Sequence, residues 1–493
     1  MTSVPDIRVR AANRAKTNPG GDFVLYWMTS YRRLSWNFAL QHAADRARKF
    51  GKPLVILEAL RVDYPYASHR LHSFLLDGIE ERRRDLHGSP VLHYPFVERA
   101  PGEVSGLLSA LGEHACCVVS DDFPSFFLPD WLRSEGRNLR VPFELVDSNG
   151  ILPLRATDRV FNAAYHFRRF LQKALPDLLP ESPDPEPLKS STPPPNAEGP
   201  LVSAWIRERW PPAPPDLLSN RERFLSSLPL DATIDPVAKA GTTQAARDSL
   251  NRFLKEGLVR YAEDRNHPDL EVTSGLSPYL HFGSISSQEI FSEVSAQEGW
   301  TPLRLSDRTD GARTGWWGMG PGAEAFLDQL VTWRELGYNM SSKREDYLAY
   351  DSLPEWARET LEIHEGDPRP HTYSPDMFRE ARTHDPLWNA AQQQLRREGI
   401  IHNYLRMLWG KKILEWSASA RDALEVMIDL NDRFALDGRD PNSYSGIFWC
   451  LGRYDRGWPE RPIFGKVRSM TSKSTRRKVI LDNYLKRFTS DSD

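Results

Sequence analysis

A proline-rich segment divides the chain into two parts whose patterns predict different secondary structures. The segment runs from residue 176 to residue 215 and has the stretch ESPDPEPLKSSTPPPNAEGP at its centre. Proline fixes φ and has no backbone N–H, so this density of proline disfavours both a long helix and a central strand. Because 493 residues are enough for two to four domains, we expect a linker over residues 176–225 with a domain on each side. After it, helical periodicity continues almost to the C-terminus, so residues 226–485 are predicted to form an all-helical domain.

Before the linker, short apolar runs alternate with segments of helical periodicity. The runs lie at residues 22–30, 52–60, 89–95, 114–122 and 141–149. Strands that alternate with helices predict a parallel sheet of the doubly wound, Rossmann-like type, so we assign residues 21–175 to an α/β domain. No glycine-rich dinucleotide fingerprint follows the first run, so the pattern does not support NAD binding.

The composition and the N-terminal residues indicate a soluble protein of a reducing compartment. Hydrophobic residues make up 40% of the chain and charged residues 27%, and no run of about 18 apolar residues predicts a membrane span. Residues 1–20 are basic and polar without the apolar core of a secretion signal, so we expect a disordered arm and a cytoplasmic location. Cys116, Cys117 and Cys450 have neither the pattern of a disulfide framework nor metal-ligand spacing, so no metal site is expected.

One predicted helix, IHNYLRMLWGKKILEW at residues 401–416, combines apolar packing positions with a charged residue. Trp409 and Trp416 lie on one apolar stripe, and such a stripe ordinarily packs into a core. Arg406 among these rings is harder to explain, because a buried guanidinium needs an anionic partner. In the polar segment that follows, Asp437 is the first choice for that partner.

The stretch TSGLSPYLHFGSIS, residues 273–286, has the pattern of an anion site. Thr273 and Ser274 precede a Gly-Leu-Ser turn, and Pro278 suits the first turn of a helix. Hydroxyl groups and free backbone N–H groups at a helix start bind anions, although an ordinary helix N-cap has the same pattern.

The segment QLVTWRELGYNM places Gln329 and Trp333 four residues apart, on one face of a helix. Trp333 and the distant Trp449 are candidates for two walls of a cavity for a flat, unstacked base, with ordinary core packing as the alternative. Between residues 439 and 480, ten lysine and arginine residues stand against three acidic ones, and aromatic residues interleave with them. A solvated basic face and a nucleic-acid surface both fit this segment.

Four strings occur in order over the second part of the chain: LSPYLHFGSIS, HNYLRMLWGKKILEW, LDGRDPNSYSGIFW and IFGKVRSM. Together with the YWM of the first predicted strand, they resemble the class II cyclobutane pyrimidine dimer photolyases of the photolyase/cryptochrome family. The resemblance implies a monomeric carbon–carbon lyase that repairs UV-damaged double-stranded DNA in the light. It also implies a reduced FAD in the helical domain and an antenna chromophore, a deazaflavin or a folate, in the α/β domain.

The resemblance assigns cofactor and relay roles to residues of this chain. The FAD phosphates would be held near Tyr261 by residues of the TSGLS motif, namely Thr273, Ser274, Gly275, Leu276 and Ser277. The isoalloxazine would lie beside an Arg406–Asp437 ion pair, which would stabilise negative charge on the ring. Asn403 would contact the ring and Asn431 would face its N5 edge. An electron relay to the flavin would consist of Trp409, Trp388 and Trp416.

The same resemblance places the DNA lesion. Trp333 and Trp449 would flank a flipped-out dimer, with Met407 beneath it and Gln329 as a polar contact. In the basic segment, Arg453 and Arg456 would enter the bubble in the duplex and contact phosphates.

Two residues depart from the family pattern. Two acidic residues are usual where this chain has Asp328 and Gln329, and an acidic residue is expected where Tyr338 stands. An amide still hydrogen-bonds a thymine carbonyl but does not supply a proton as a carboxyl group does. The rival hypothesis is therefore a cryptochrome-like flavin photoreceptor, against which stand the short sequence after the basic segment and the retained lesion-flanking residues. A DNA-binding protein without flavin is the third hypothesis.

Overall fold

The computed structural model describes residues 3–195, 199–215 and 220–489, which form two compact units. The first unit comprises Met1–Thr157, Asp177–Asp248 and Leu276–Glu293, and the second comprises Asp158–Pro176, Ser249–Gly275 and Val294–Asp493. The chain therefore passes from one unit to the other several times, which differs from the single passage through a linker that the proline-rich segment predicted.

A six-stranded sheet is the centre of the first unit. Its strands are β1 Val9–Ala11, β2 Phe23–Trp27, β3 Leu54–Leu60, β4 Leu92–Val97, β5 Ala115–Asp121 and β6 Phe143–Val146. Their order is β1-β6-β5-β2-β3-β4, and all neighbours are parallel except β1 and β6. Every residue of β2, β3 and β5 is buried, as expected of a parallel sheet whose two faces are covered. The five strands predicted from the apolar runs are present, and the predicted doubly wound α/β fold is confirmed.

The α-helices account for most of the remaining regular structure. In chain order they are α1 Phe38–Phe50, α2 His69–Asp85, α3 Leu107–His114, α4 Leu128–Asn138, α5 Ala164–Leu178, α6 Pro187–Ser190, α7 Ala204–Arg209, α8 Arg221–Ser226, α9 Thr243–Arg252, α10 Tyr261–Asp264, α11 Ser277–Phe282, α12 Ser287–Gln297, α13 Pro321–Leu327, α14 Arg334–Lys343, α15 Glu355–Ile363, α16 Pro375–Arg379, α17 Pro386–Glu398, α18 Asn403–Trp416, α19 Ala420–Phe434, α20 Pro441–Cys450, α21 Ser472–Lys478 and α22 Asp482–Thr489. Helices α1–α4 belong to the first unit, and α13–α22 make the second unit helical as predicted. Within the described residues, no helix is both long and apolar enough to cross a membrane.

Strand β1 lies inside the segment that was expected to be a disordered arm. It pairs antiparallel with β6, and Arg8 immediately before it is fully buried. The Arg8 guanidinium donates hydrogen bonds to the carbonyl oxygens of Gly150 and Ile151, at 3.2 and 2.7 Å, and lies 4.5 Å from the centre of the Phe38 ring. The expectation of disorder is corrected for these residues. From composition alone a basic residue is expected to lie in water, but here backbone carbonyl groups solvate the buried guanidinium. Residues 1 and 2 of the arm lie outside the described residues.

The proline-rich segment is part of the first unit from Asp177 onward instead of forming a free linker. It contains the short helices α6 and α7, with a proline in the first turn of α6, and α8 lies at the end of the predicted linker. Val202, Ile206 and Trp210 belong to the buried core that includes the sheet. Trp210 Nε1 also donates to the Glu103 carbonyl oxygen at 2.8 Å. The linker prediction is corrected here because apolar residues between the prolines reach the core; residues 196–198 and 216–219 lie outside the described part.

Candidate functional site

An ion pair joins Arg406 of α18 to Asp437, which lies in the loop between α19 and α20. Arg406 Nη2 donates to both carboxylate oxygens of Asp437, at 2.8 and 3.1 Å. The two side chains are 13% and 12% exposed, so the pair is nearly dry. The anionic partner predicted for Arg406 is therefore confirmed. Two charge-assisted contacts at this burial hold the guanidinium in one orientation.

Asn431 of α19 extends this pair into a buried hydrogen-bond network. Its amide oxygen accepts from Arg406 Nη1 at 3.4 Å, and its amide nitrogen donates to Asp432 at 3.0 Å and to Ser443 Oγ at 2.8 Å. Asp432 also accepts from the Tyr444 hydroxyl at 2.8 Å, and burial raises the pKa of the Asp432 carboxyl group. Both N–H bonds of the Asn431 amide are thus engaged. Asp432, Ser443 and Tyr444 were not predicted; the available signal was a cluster of polar residues beside an expected ion pair.

The three predicted relay tryptophans lie close together, Trp388 on α17 and Trp409 and Trp416 on α18. Trp388 Nε1 donates to the Trp409 carbonyl oxygen at 3.1 Å, and the ring centres of Trp388 and Trp416 are 6.0 Å apart. Trp409 Nε1 donates to Gln392 Oε1 at 2.9 Å. None of the three is more than 3% exposed. This dry and rigid arrangement suits core packing and electron transfer equally.

The tryptophan row continues to the surface through residues that the sequence pattern did not predict. The ring centre of Trp416 lies 5.5 Å from that of Tyr373 and 5.1 Å from that of His384. The Tyr373 hydroxyl and His384 Nδ1 are 2.5 Å apart, and His384 is exposed. Both residues come from the loops around α16, so their proximity to α18 depends on tertiary structure and leaves no signal in the local sequence.

The predicted phosphate motif spans a change of unit along the chain. Its first three residues, Thr273, Ser274 and Gly275, are half-buried in the second unit, whereas Leu276 and Ser277 belong to the first. Gly275 has a φ of +65°, in the left-handed region that glycine adopts without strain. A Cβ atom added to Gly275 would lie 3.8 Å from Arg252 Nη2. A guanidinium therefore stands beside the turn, and Arg252 is a residue that the motif did not reveal.

Tyr261 and Asn403, two further predicted flavin contacts, differ in burial. Tyr261 begins α10 and is 8% exposed, and its ring centre lies 5.5 Å from that of Phe253 and 5.6 Å from that of Phe326. Burial raises the pKa of Tyr261. Asn403 begins α18 and is exposed. Tyr261 is thus part of an aromatic cluster, whereas Asn403 is accessible, three residues before Arg406.

The four predicted lesion-contacting residues, Gln329, Trp333, Met407 and Trp449, are all half-buried. Gln329 and Trp333 lie in a π-helical segment, Asp328–Trp333, immediately before α14. A π-helix bonds residue i to residue i+5, so its turns are wider than those of an α-helix and residues four or five apart lie along one side. The predicted shared face of Gln329 and Trp333 is therefore compatible with this segment, in π-helical instead of α-helical geometry. Because π-helical turns are frequent at functional sites, the presence of this segment is a further indication of a functional region.

Helix α14 follows Trp333 and is joined to α20, which carries Trp449. The Tyr338 hydroxyl donates to Asp440 Oδ2 at 3.0 Å, and Arg334 Nη2 donates to the Tyr338 hydroxyl at 3.1 Å. Tyr338 is 2% exposed, and burial raises its pKa well above the usual value. The residue that departs from the family pattern therefore bridges the two helices next to the predicted lesion walls.

Arg453 and Arg456, the two predicted DNA contacts, have opposite environments. Arg453 is 1% exposed; it donates to the Tyr347 carbonyl oxygen at 3.0 Å and to the Ser352 hydroxyl. Its guanidinium carbon lies 3.6 Å from the centre of the Phe448 ring, and burial lowers the pKa of Arg453 to about 10. A guanidinium enclosed in this way does not reach DNA phosphates, so the prediction for Arg453 is wrong. Arg456 is exposed.

Solved structures define the class of protein to which this fold belongs. A class III photolyase of Agrobacterium tumefaciens matches with a TM-score of 0.63 and 17% identity, over 97% of this chain and 87% of that chain. A cryptochrome of Synechocystis matches with a TM-score of 0.62 and 15% identity, over 94% of this chain and 88% of that chain. The fold is therefore that of the photolyase/cryptochrome class.

Sequence relatives define the family within this class. The deoxyribodipyrimidine photo-lyase of Methanothermobacter thermautotrophicus is 34% identical to this chain over 491 residues, which cover 97% of each protein. A comparison with protein-family models finds no match. On the full-length similarity, the chain belongs to the deoxyribodipyrimidine photo-lyase family.

Proposed function

We propose that this protein is a class II photolyase, which uses light and a reduced FAD to split cyclobutane pyrimidine dimers in double-stranded DNA. One observation carries the proposal: the Arg406–Asp437 pair is nearly buried in the same helical unit as the row of Trp388, Trp409 and Trp416. The full-length similarity to a deoxyribodipyrimidine photo-lyase supports the same activity.

The phosphate motif and its neighbours fit the pyrophosphate of FAD. Arg252 provides positive charge beside the Gly275 turn, and Thr273 and Ser274 provide half-buried hydroxyl groups. These three residues of the second unit would hold the phosphates, because cations and hydrogen-bond donors at a turn bind anions.

The network around Arg406 fits the ring of the same cofactor. Arg406 and Asp437 would hold the isoalloxazine beside a fixed cation, with Asn403 and Asn431 as polar contacts. Because both N–H bonds of Asn431 are engaged, contact with the ring would require release of Ser443, whose hydroxyl rotates freely. Bound there in its reduced form, FAD would supply the electron for opening the dimer after light absorption and would take it back afterwards.

The tryptophan row would restore the reduced state of the cofactor. Trp409, Trp388 and Trp416 would pass electrons inward by short steps between rings, and their burial excludes water from the path. The hydrogen bonds of Trp388 and Trp409 fix the ring positions. Rigid rings in a dry interior need little reorganisation when charge moves between them.

The lesion would enter between the half-buried rings of Trp333 and Trp449, above Met407. A pyrimidine dimer stacks only weakly in the duplex. Flipping it out therefore costs less free energy than flipping out normal bases. The Gln329 amide would donate a hydrogen bond to a base carbonyl but would not transfer its proton. Outside this pocket, Arg456 and the exposed cations of α21 would contact the DNA backbone.

The proposal also includes a deazaflavin or folate antenna in the first unit and monomeric action on cellular DNA in the cytoplasm. The alternative function is that of a cryptochrome-like flavin photoreceptor without repair. Gln329 favours it, since the carboxyl group expected at that position is replaced by an amide, and the fold is shared with a cryptochrome.

Illumination of the reduced holoprotein with DNA that contains thymine dimers distinguishes the two functions. Loss of dimers in the light but not in the dark is expected, measured by chromatography of the digested DNA. Flavin photochemistry with unchanged dimers would favour the photoreceptor. A purified protein that has no flavin absorbance and does not bind added FAD would contradict both functions.

A further inference from the structure

A buried lysine lies directly behind one wall of the proposed lesion pocket. Lys411 of α18 is 0% exposed, and its Nζ lies 4.8 Å from the centre of the Trp449 ring. The same ammonium group donates to the carbonyl oxygen of Cys450, at 2.7 Å. Lys411 follows Met407 by four residues, which is about one helical turn, so both side chains face α20. One cation therefore contacts the ring of Trp449 and the carboxyl end of the helix that carries it.

The charges around Lys411 are few and come from the segment after α20. Arg468 lies with its guanidinium carbon 5.5 Å from the Trp449 ring centre, and its Nε donates to Asp455 at 3.0 Å. Among the residues that the structure describes, Asp455, Arg468 and the Cys450 thiol are the titratable groups that interact electrostatically with Lys411. Burial lowers the pKa of Lys411 to about 8, whereas burial raises the pKa of Cys450 to about 11. Between these two values the lysine loses its charge while the thiol keeps its proton.

We propose that Lys411 is a positioning residue for Trp449 and that its positive charge is required for tight binding of the pyrimidine dimer. This inference rests on the proposed repair function. The ammonium group attracts the ring from the protein interior and fixes the orientation of the indole. The hydrogen bond to Cys450 fixes the end of α20 at the same point, so the half-buried Trp449 presents a preorganised surface to a base. A neutral amine keeps the hydrogen bond but loses the attraction to the ring.

The adjacent lysine provides a matched control within the same helix. Lys412 is also buried, at 8% exposure, but its Nζ lies 5.2 Å from Trp416 and 2.6 Å from the Glu415 carboxylate. Lys412 is therefore a buried lysine of the same helix that lies against the ring of Trp416 instead of the ring of Trp449. Any effect shared by both lysine variants would reflect helix stability, and an effect confined to Lys411 would reflect Trp449.

The test measures binding of the holoprotein in the dark to a fluorescent duplex with one thymine dimer and to the same duplex without it. We expect Lys411→Met to weaken dimer binding about tenfold near pH 7, with undamaged DNA and repair at saturating substrate unchanged. Lys412→Met is expected to retain the wild-type affinity for the dimer. In the wild type, affinity should fall as pH rises through about 8, and Lys411→Arg, which stays charged, should remove that fall.

Equal dimer affinities of wild type and Lys411→Met would overturn the role of Lys411 while leaving the proposed function intact. An alkaline fall that persists in Lys411→Arg would also overturn it, and this variant decides the question where Lys411→Met does not fold. A wild type that binds damaged and undamaged duplexes equally and repairs neither would overturn the proposed function and the inference together.

Discussion

The indole N–H of Trp388 donates a hydrogen bond to the backbone carbonyl oxygen of Trp409, at 3.1 Å. This bond fixes a residue of α17 to the turn of α18 that carries the second tryptophan, and the ring of Trp388 lies 6.0 Å from that of Trp416. These contacts are therefore compatible with two interpretations of the tryptophan stripe: ordinary core packing and an electron relay. Only a measurement that separates stability from electron transfer distinguishes them.

The variant Trp388→Phe makes this separation. It keeps a buried aromatic ring but removes the indole, so photoreduction of oxidised flavin should slow about tenfold or more, equivalent to at least ~1.4 kcal/mol in the barrier. Repair by protein that was reduced chemically beforehand should remain at the wild-type level. Both rates are measured by absorbance under steady illumination.

Trp210→Phe is the matched control for Trp388→Phe. Trp210 is also buried and also donates its indole N–H to a backbone carbonyl group, but it lies in the first unit. Photoreduction should be unchanged in this variant. Equal slowing in both variants would assign the effect to loss of packing, and the relay assignment would then fail.

The Arg406–Asp437 pair allows cofactor binding to be separated from stability. Asp437→Asn leaves a nearly buried guanidinium without its counter-charge, which should lower the free energy of unfolding of the apoprotein by about 3 kcal/mol. The double variant Arg406→Met/Asp437→Leu removes both charges and should recover most of that loss. Flavin content per protein should be low in both variants, since each lacks the paired guanidinium. Urea unfolding of apoprotein and flavin absorbance after reconstitution give the two quantities.

A double variant that binds FAD with wild-type affinity would contradict the proposed role of the pair. In that case the pair would serve only to hold α18 against the loop before α20. Arg8 is a useful comparison, because its buried guanidinium is satisfied mainly by carbonyl groups of the first unit. Its substitution should lower stability without a specific loss of flavin.

Periodicity and the chemistry of single residues were sufficient to predict much of this fold, and tertiary contacts explain the errors. The strands were predictable because a strand that is buried on both faces, such as β3 within residues 52–60, consists almost entirely of apolar residues. Asp437 was predictable because a guanidinium on an apolar stripe requires an anion nearby. The burial of Arg453 was not, since its partners Tyr347 and Ser352 are about a hundred residues away in sequence. Local composition describes such a residue only as basic.

Gln329 is the residue at which the repair function is tested most directly. Gln329→Glu restores the carboxyl group expected in the family at a half-buried position. A protonated carboxyl group donates a hydrogen bond to a base carbonyl and can also transfer its proton, which an amide does not do, so dimers repaired per absorbed photon should rise severalfold. Affinity for undamaged DNA should not change. The yield is measured with reduced protein under calibrated illumination, with Trp333 and Trp449 intact in both proteins. A lower yield in Gln329→Glu would show that the amide is the adapted residue in this chain.

His72 should make the stability of the first unit sensitive to acid. Its side chain is fully buried in α2, Nε2 contacts the Arg61 carbonyl oxygen at 3.0 Å, and burial lowers the pKa of His72 to about 4. The unfolded chain binds a proton at a higher pH than the folded chain, so stability is lost as pH falls from about 6.5 to about 4. The loss should reach about 3 kcal/mol for this one residue.

His72→Gln keeps a hydrogen-bond donor without the titration and should show a smaller loss, whereas His87→Gln, at an exposed position, should follow the wild type. Urea unfolding midpoints over this pH range measure the difference, and parallel curves for wild type and His72→Gln would contradict the assignment.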